Sequence, residues 1–202
     1  MRTGLCSSCT CLWAVVLVTI VIGRPLPGHA QNDVYQLSFF ANANSLIADQ
    51  TVSIVNPGVQ GTPLTGATLC ADIYVFDASQ HPLTCCACHV NANGILRLSL
   101  RSDLLPAAAL PARRPDSGVI KIVSDDAPKG CNAAKPHPVP NLRTSMTHLE
   151  LAPLLNIFRL VNSQSDLAFA DSLLSQQELV SLAEACQKLT RSERVCVCPP
   201  GS

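Results

Sequence analysis

The densest group of chemically reactive side chains is the run Cys85-Cys86-Ala87-Cys88-His89. Thiolate and imidazole groups are ligands that zinc and Cu(I) prefer, so this run can be interpreted as a soft metal site. A second pair of cysteines with the same close spacing, Cys196 and Cys198, lies near the C-terminus. Cysteines can also be oxidised to disulfides, and the redox compartment of the protein decides which chemistry prevails.

Residues 1–30 predict an oxidising compartment. Arg2 precedes a run of 11 residues at 12–22 that is apolar except for Thr19, and Gly28-His29-Ala30 then places small residues where a signal peptidase reads. This pattern is typical of a secretory signal peptide, which we expect to be removed after Ala30. The apolar run is much shorter than the about 20 residues that a membrane span needs. We therefore predict a secreted or periplasmic chain of residues 31–202, with no membrane span after signal cleavage.

Cysteine count favours disulfides over a metal in this chain. Eight cysteines remain in residues 31–202, and an even number in an exported protein predicts four disulfides. They are Cys70, Cys85, Cys86, Cys88, Cys131, Cys186, Cys196 and Cys198. Only Cys85 and Cys88 among them have the CxxC spacing of zinc sites and thiol oxidoreductases, and none of the eight begins a predicted helix, where a reactive thiolate usually lies. A zinc or copper site formed by Cys85, Cys86, Cys88 and His89 is the alternative, and no other metal or cofactor is predicted.

Strand geometry restricts how the cysteines can pair. Neighbouring residues of an extended segment point to opposite faces, whereas residues i and i+2 share a face. Cys85 and Cys86 therefore cannot both bond to one neighbouring pair. Cys86 or Cys88 is predicted to bond to the pair Cys196 and Cys198. Cys85 then pairs elsewhere, and Cys70 is a candidate partner.

The other candidate groups are interpreted as surface and turn residues. Within residues 31–202 the histidines outside the run are His81, His137 and His148, and we expect all three to be exposed. The carboxylates near strand ends are Asp72, Asp77, Asp125 and Asp126, and we expect them to serve caps and turns rather than to bind calcium. Motifs of hydrolases, zinc proteases, phosphate loops and dinucleotide binding are absent from the sequence. A secreted enzyme is therefore only the third interpretation.

Alternating apolar residues predict the elements that position these groups. The cysteine run lies between two predicted strands, one over 69–76 and one over 95–100, with turns at 77–82 and at Asn93-Gly94. Further strands are predicted at 34–41, 50–55, 119–124, 144–151, 156–161 and 195–198. The proline-rich segment 127–141 is predicted to run extended, anchored by Cys131. About seven short strands with turn-rich connections predict a mainly β chain folded as an antiparallel β-sandwich.

One helix is predicted near the C-terminus. Ser175 and Glu178 have the spacing of a capping box, in which both side chains satisfy free N–H groups at a helix start. The apolar residues that follow recur at helical spacing, and they are Leu179, Leu182, Ala183, Cys186 and Leu189. We therefore predict a helix over 176–189 that packs this stripe on the sandwich. Cys186 lies within the stripe, so it is predicted to bond to the core.

The charge balance argues against two classes of partner. Arg2 and Arg24 belong to the predicted signal, which leaves 12 of the 14 basic residues against 14 acidic ones, a net charge of −2. A nearly neutral chain has no electrostatic attraction to nucleic acid or to an anionic membrane. A protein or another extracellular ligand is the expected partner, and its identity is open.

Several segments resemble a family of uncharacterised secreted bacterial proteins of acidobacterial type, rich in cysteine and without a known activity. The segments are LCADIYVFD at 69–77, CCAC at 85–88, NG at 93–94, GVIKIVS at 118–124, AC at 185–186 and CVC at 196–198. The resemblance implies export and a bacterial origin, and it assigns no functional residue. The sequence thus predicts a disulfide-linked structural or binding module without catalysis.

Overall fold

The computed structural model describes most of the chain after the predicted signal. The described residues are 34–45, 48–59, 67–126, 130–152 and 161–200. The predicted signal peptide 1–30 and residues 156–160 of one predicted strand lie outside them. None of the helices in the described ranges is long and apolar enough to cross a membrane.

The described part of the chain forms nine strands in two antiparallel sheets, followed by one α-helix. The strands are β1 (Tyr35–Phe40), β2 (Thr51–Val55), β3 (Leu69–Asp77), β4 (Pro82–Val90), β5 (Ile95–Ser99), β6 (Gly118–Asp125), β7 (Arg143–Ala152), β8 (Val161–Ala168) and β9 (Ala170–Asp171), and the helix is α1 (Gln176–Arg191). The first sheet has the order β4-β3-β6-β1-β9 and the second β5-β2-β7-β8. This arrangement confirms the predicted mainly β, antiparallel sandwich with a C-terminal helix.

The main core lies between the two sheets. Alternate residues of β3, including Ala71, Ile73 and Val75, pack against Val52 and Ile54 of β2, and all of them are fully buried. Side chains that alternate along a strand point to opposite faces, so the period of two in the sequence places one set in this core. Removing these apolar side chains from water stabilises the sandwich.

A second apolar layer covers the other face of the five-stranded sheet. Tyr74 of β3 and Val123 of β6 pack there with Leu182, Cys186 and Leu189 of α1. Strand β3 is therefore covered on both faces, as its nearly continuous apolar sequence predicts.

The cysteine run is itself a strand, which the sequence interpretation missed. Residues 82–90 form β4, the edge strand paired with β3 after a tight turn. Asp77 builds this turn, because its Oδ1 accepts hydrogen bonds from the N–H groups of Ser79 and His81, at 2.8 and 2.9 Å. Cysteine, threonine and histidine in β4 gave no clear apolar alternation. The strand matters for the site because it gives every cysteine of the run a defined face.

Strands β8 and β9 close one side of the sandwich and were also not predicted. The chain pairs with β7 in the second sheet up to Ala168, and Ala170 then pairs with β1 in the first sheet. Phe169 is buried where the chain changes sheets. The polar composition of β8 hid it from a pattern search. The strand predicted at 195–198 is wrong, since only Val195 forms a single bridge, to Cys85.

Helix α1 begins where its capping residues predict. The Ser175 hydroxyl accepts a hydrogen bond from the Glu178 N–H at 3.1 Å, which satisfies one free donor of the first turn. The helix runs to Arg191, two residues beyond the predicted end. Leu182, Cys186 and Leu189 are buried, so the predicted stripe is the face that packs on the sheet.

Leu182→Ala is expected to lower the free energy of unfolding by about 2–5 kcal/mol, because it leaves a cavity at a buried site. Leu182 is only 2% exposed. Val180→Ala is the matched control, since Val180 lies on the same helix and is 46% exposed. Urea unfolding of both variants measures the difference. Equal stabilities would show that the stripe does not hold the helix on the sheet.

Candidate functional site: the disulfides of β3 and β4 and a buried carboxyl pair

All eight cysteines of residues 31–202 form disulfides. The bonds are Cys70–Cys131, Cys85–Cys186, Cys86–Cys196 and Cys88–Cys198. The expectation that Cys86 or Cys88 reaches the C-terminal pair is confirmed, and in fact both do. The expected bond from Cys186 to the core is confirmed as well. The pairing considered between Cys85 and Cys70 is wrong.

Two of the disulfides hold the C-terminal tail along β4. Cys86 and Cys88 share a face of the strand, with their sulfur atoms 3.9 Å apart. The tail also bonds through its backbone, because the Cys196 N–H donates to the Cys85 carbonyl at 3.1 Å. The Val197 N–H donates to the Asp103 carbonyl at 2.8 Å. The tail is thus fixed at two successive levels of one strand.

Cys85 points to the opposite face of β4 and holds the helix. Its side chain is fully buried in the second apolar layer, where it bonds to Cys186 of α1. Its cross-strand neighbour on β3 is Tyr74, four positions from Cys70. At about 3.3 Å per strand residue, that offset is too great for a bond between Cys85 and Cys70. Cys70 bonds instead to Cys131, in the loop 130–140.

The alternative metal set divides between two faces of β4. Cys86 and Cys88 lie on the side of the core between the sheets, and Cys85 lies in the layer under α1. Alternation along the strand places His89 on the side of Cys85. The four groups therefore do not converge on one point.

His89 lies beside a different disulfide, Cys70–Cys131. Its Nδ1 is 3.2 Å from the Cys131 sulfur, and the ring is exposed. On the sheet, Cys70 has His89 of β4 as one cross-strand neighbour and Asp125 of β6 as the other. An imidazole, a disulfide and a carboxylate thus follow one another across three strands.

The loop 130–140 covers this part of the sheet. The Tyr74 hydroxyl donates to the Ala133 carbonyl at 2.7 Å, and the His137 N–H donates to Asp125 Oδ2 at 2.6 Å. The Val139 N–H donates to the Ser124 carbonyl at 2.9 Å. The described part of the segment carries no helix, as its prolines predict. Cys131 anchors it to β3, which was also expected.

Asp72 and Asp125 form a buried carboxyl pair on the face that carries Cys70, beside this loop. Both side chains are 0% exposed, so the caps and exposed turns expected for them are wrong. Burial, together with the adjacent Asp125 carboxyl, raises the pKa of Asp72 from 3.8 to about 9. Asp72 therefore keeps its proton at neutral pH. A charged residue type inside a strand that is apolar on both faces was the signal that could have revealed the pair.

The histidine predictions have a mixed outcome. His81 and His137 are exposed, as expected, and His81 Nδ1 lies 3.2 Å from Asp77 Oδ2 in the β3–β4 turn. His148 is only 6% exposed, which contradicts the surface position expected from its strand pattern. Its ring packs on Phe39, with the ring centroids 4.7 Å apart.

A second polar cluster joins the start of α1 to the sheet. Glu178 Oε1 accepts hydrogen bonds from the Lys121 ammonium at 2.6 Å and from the Tyr35 hydroxyl at 3.0 Å. Partial burial opposes ionisation of Glu178, but these two hydrogen bonds and the Lys121 charge outweigh it and lower its pKa. A cleft of about 290 Å³ lies alongside, partly lined by Phe76 and Leu182. Because the acid and the base neutralise each other, the cluster fixes the helix rather than offering a reactive group.

No family model, curated protein or solved structure matches this chain. The fold and the bonds described above define its class, a disulfide-linked antiparallel β-sandwich with an outer C-terminal helix. Disulfides in this number are typical of proteins from oxidising, extracellular compartments.

Proposed function

We propose that this chain is an exported structural or binding module that acts without catalysis, in the periplasm or outside the cell. The observation that carries the proposal is the placement of the four disulfides. They join the loop 130–140, helix α1 and the C-terminal tail to two neighbouring strands, β3 and β4. Cross-links of this kind keep a surface in one shape in an oxidising environment.

The polar clusters support a role without catalysis. Asp72 and Asp125 are closed to solvent, so a substrate has no contact with them in this conformation. Glu178 and Lys121 are already bonded to each other. A general acid or base must itself lie within hydrogen-bond reach of the substrate atom to or from which it transfers a proton. Neither cluster offers such a group. The resemblance to secreted bacterial proteins of acidobacterial type supports export, and the partner proposed is a protein or another extracellular ligand.

Protein purified from its native compartment tests this proposal directly. We expect no free thiol without reduction, an N-terminus at Gln31, and no bound zinc or copper. Thiol titration, intact mass and elemental analysis measure these three quantities. Free thiols together with stoichiometric metal would instead support the metal-binding alternative. An exported chain that still began at Met1 would contradict the predicted signal cleavage.

A further inference from the structure

We propose that the Cys70–Cys131 disulfide is a site of selective thiol–disulfide exchange. A small thiol or dithiol outside the protein would open this bond before the other three and release the loop 130–140 from β3. The proposal is independent of the role suggested above, since it concerns the reactivity of one bond in the folded, oxidised protein.

The surroundings of the four bonds differ in the way this selectivity requires. Cys131 is partly exposed and lies in a loop, so an incoming thiolate has a path to its sulfur. Cys85 and Cys186 are both buried, at 0% and 3% exposure. Access is one of the conditions that govern exchange rates, which places Cys85–Cys186 among the slow bonds.

The two tail disulfides are protected by each other. When Cys86–Cys196 opens, Cys88–Cys198 still holds the tail beside β4, two positions away on both segments. The freed thiol therefore stays at high effective concentration next to its partner and closes the bond again. Cys70–Cys131 has no such neighbouring bond between the same two segments.

His89 supplies the chemical reason for faster opening. One ring nitrogen of His89 and the sulfurs of Cys70 and Cys131 all lie within 4.8 Å of one another. An incoming thiolate forms a new S–S bond to Cys131, the old S–S bond breaks, and its electron pair leaves on the Cys70 sulfur. The Cys70 thiolate then takes a proton from solvent. His89 Nδ1 lies 3.2 Å from the Cys131 sulfur, within hydrogen-bond reach, so His89 can act as a general acid when Cys131 becomes the leaving group in the second step.

A second thiol completes the reduction. Its thiolate attacks the external sulfur of the mixed disulfide, and Cys131 leaves and takes its proton from His89, which regains a proton from solvent. The two external thiols end as one oxidised disulfide. The protein gains two electrons and two protons, and the external thiol pair loses them. The reductant is thus a monothiol used twice, or a dithiol used once.

Opening this bond removes the covalent tie beside the carboxyl pair. The loop is then held by hydrogen bonds, including those from Tyr74 and to Asp125 and Ser124. Water that reaches Asp72 and Asp125 stabilises their charged forms, because burial is what keeps Asp72 protonated. Solvation of the Asp72 carboxylate therefore lowers the free energy of the open loop in the reduced protein.

Limited reduction of the oxidised protein tests the proposal. The protein is treated with a limiting amount of dithiothreitol, quenched with iodoacetamide at successive times, and mapped as peptides. We expect Cys70 and Cys131 to be alkylated first. His89→Gln should slow their alkylation about tenfold or more, as expected for loss of a general acid. His81→Gln is the matched control, since His81 is exposed in the β3–β4 turn and the rate should not change.

The same experiment contains an internal control for damage to the fold. A destabilised variant would lose all four bonds faster, whereas the proposal expects one bond to open more slowly and three to be unaffected. Earlier alkylation of any other pair, or an unchanged rate in His89→Gln, would overturn the assignment. Hydrogen exchange after opening of this one bond should accelerate at the His137 and Val139 N–H groups. Unchanged exchange there would overturn the release of the loop.

Discussion

A variant without the three disulfides of β4 is expected not to fold. The change replaces six cysteines with alanine, namely Cys85, Cys86, Cys88, Cys186, Cys196 and Cys198. Each of these bonds spans at least 101 residues, and closing the first such loop is worth about 4–5 kcal/mol in the chain-entropy account. All three together contribute about 9 kcal/mol, which is comparable to the whole stability of a typical domain, about 5–15 kcal/mol.

The three bonds are also expected to be far from additive. With Cys86–Cys196 in place, Cys85–Cys186 closes an extra loop of about ten residues, worth about 3 kcal/mol. Cys88–Cys198 then closes a loop of only about four residues, so replacing this pair alone costs about 1–2 kcal/mol. Removing any one of these bonds alone is therefore expected to cost about 1–3 kcal/mol, less than the roughly 4–5 kcal/mol of the first loop closed.

Guanidinium unfolding of the non-reduced variants measures these differences. The variant with Cys88→Ala and Cys198→Ala is the control, because it makes the same kind of substitution but removes only one of the two disulfides that hold the tail. This variant should still unfold cooperatively. The six-alanine variant should lack that cooperative transition and its near-UV circular dichroism. A native-like transition in that variant would show that apolar packing alone holds α1 and the tail on β4.

Asp72→Asn is expected to stabilise the protein at alkaline pH and to flatten the dependence of stability on pH. The folded protein holds a proton on Asp72, whose pKa is raised from 3.8 to about 9, and the unfolded chain releases it. Native protein thus binds more protons between about pH 4 and pH 9, so its stability falls as pH rises through that range. Asparagine has the same shape without the charge, and it removes this loss.

The expected gain is about 1–4 kcal/mol at pH 8–9, with little difference near pH 4. Urea unfolding at a series of pH values measures it. Asp126→Asn is the control, because Asp126 is the exposed residue that follows Asp125 and its replacement should leave the slope unchanged. A variant with the wild-type slope would show that Asp72 is ionised in the folded protein.

Local patterns in the sequence determined the fold class and the start of the helix. Alternation at 51–55 and at 95–99 placed β2 and β5, because a half-buried strand repeats every two residues wherever it lies. The Ser175 cap and the stripe through Leu182 placed α1 for a similar reason, since capping and helical periodicity involve residues close in the chain. The spacing of Cys86 and Cys88 likewise predicted a shared face and shared partners.

The tertiary structure alone decided which distant residues meet. Cys85 bonds to Cys186 rather than to Cys70 because strand register sets it opposite Tyr74 and α1 packs above it, and no local pattern encodes that register. Asp72 and Asp125 became a buried pair because β3 and β6 are neighbours and their shared outer face is covered. Pairing order and the covering of faces arise from contacts far apart in the chain, and they set the chemistry of the cysteines and carboxyl groups whose residue types the sequence already displays.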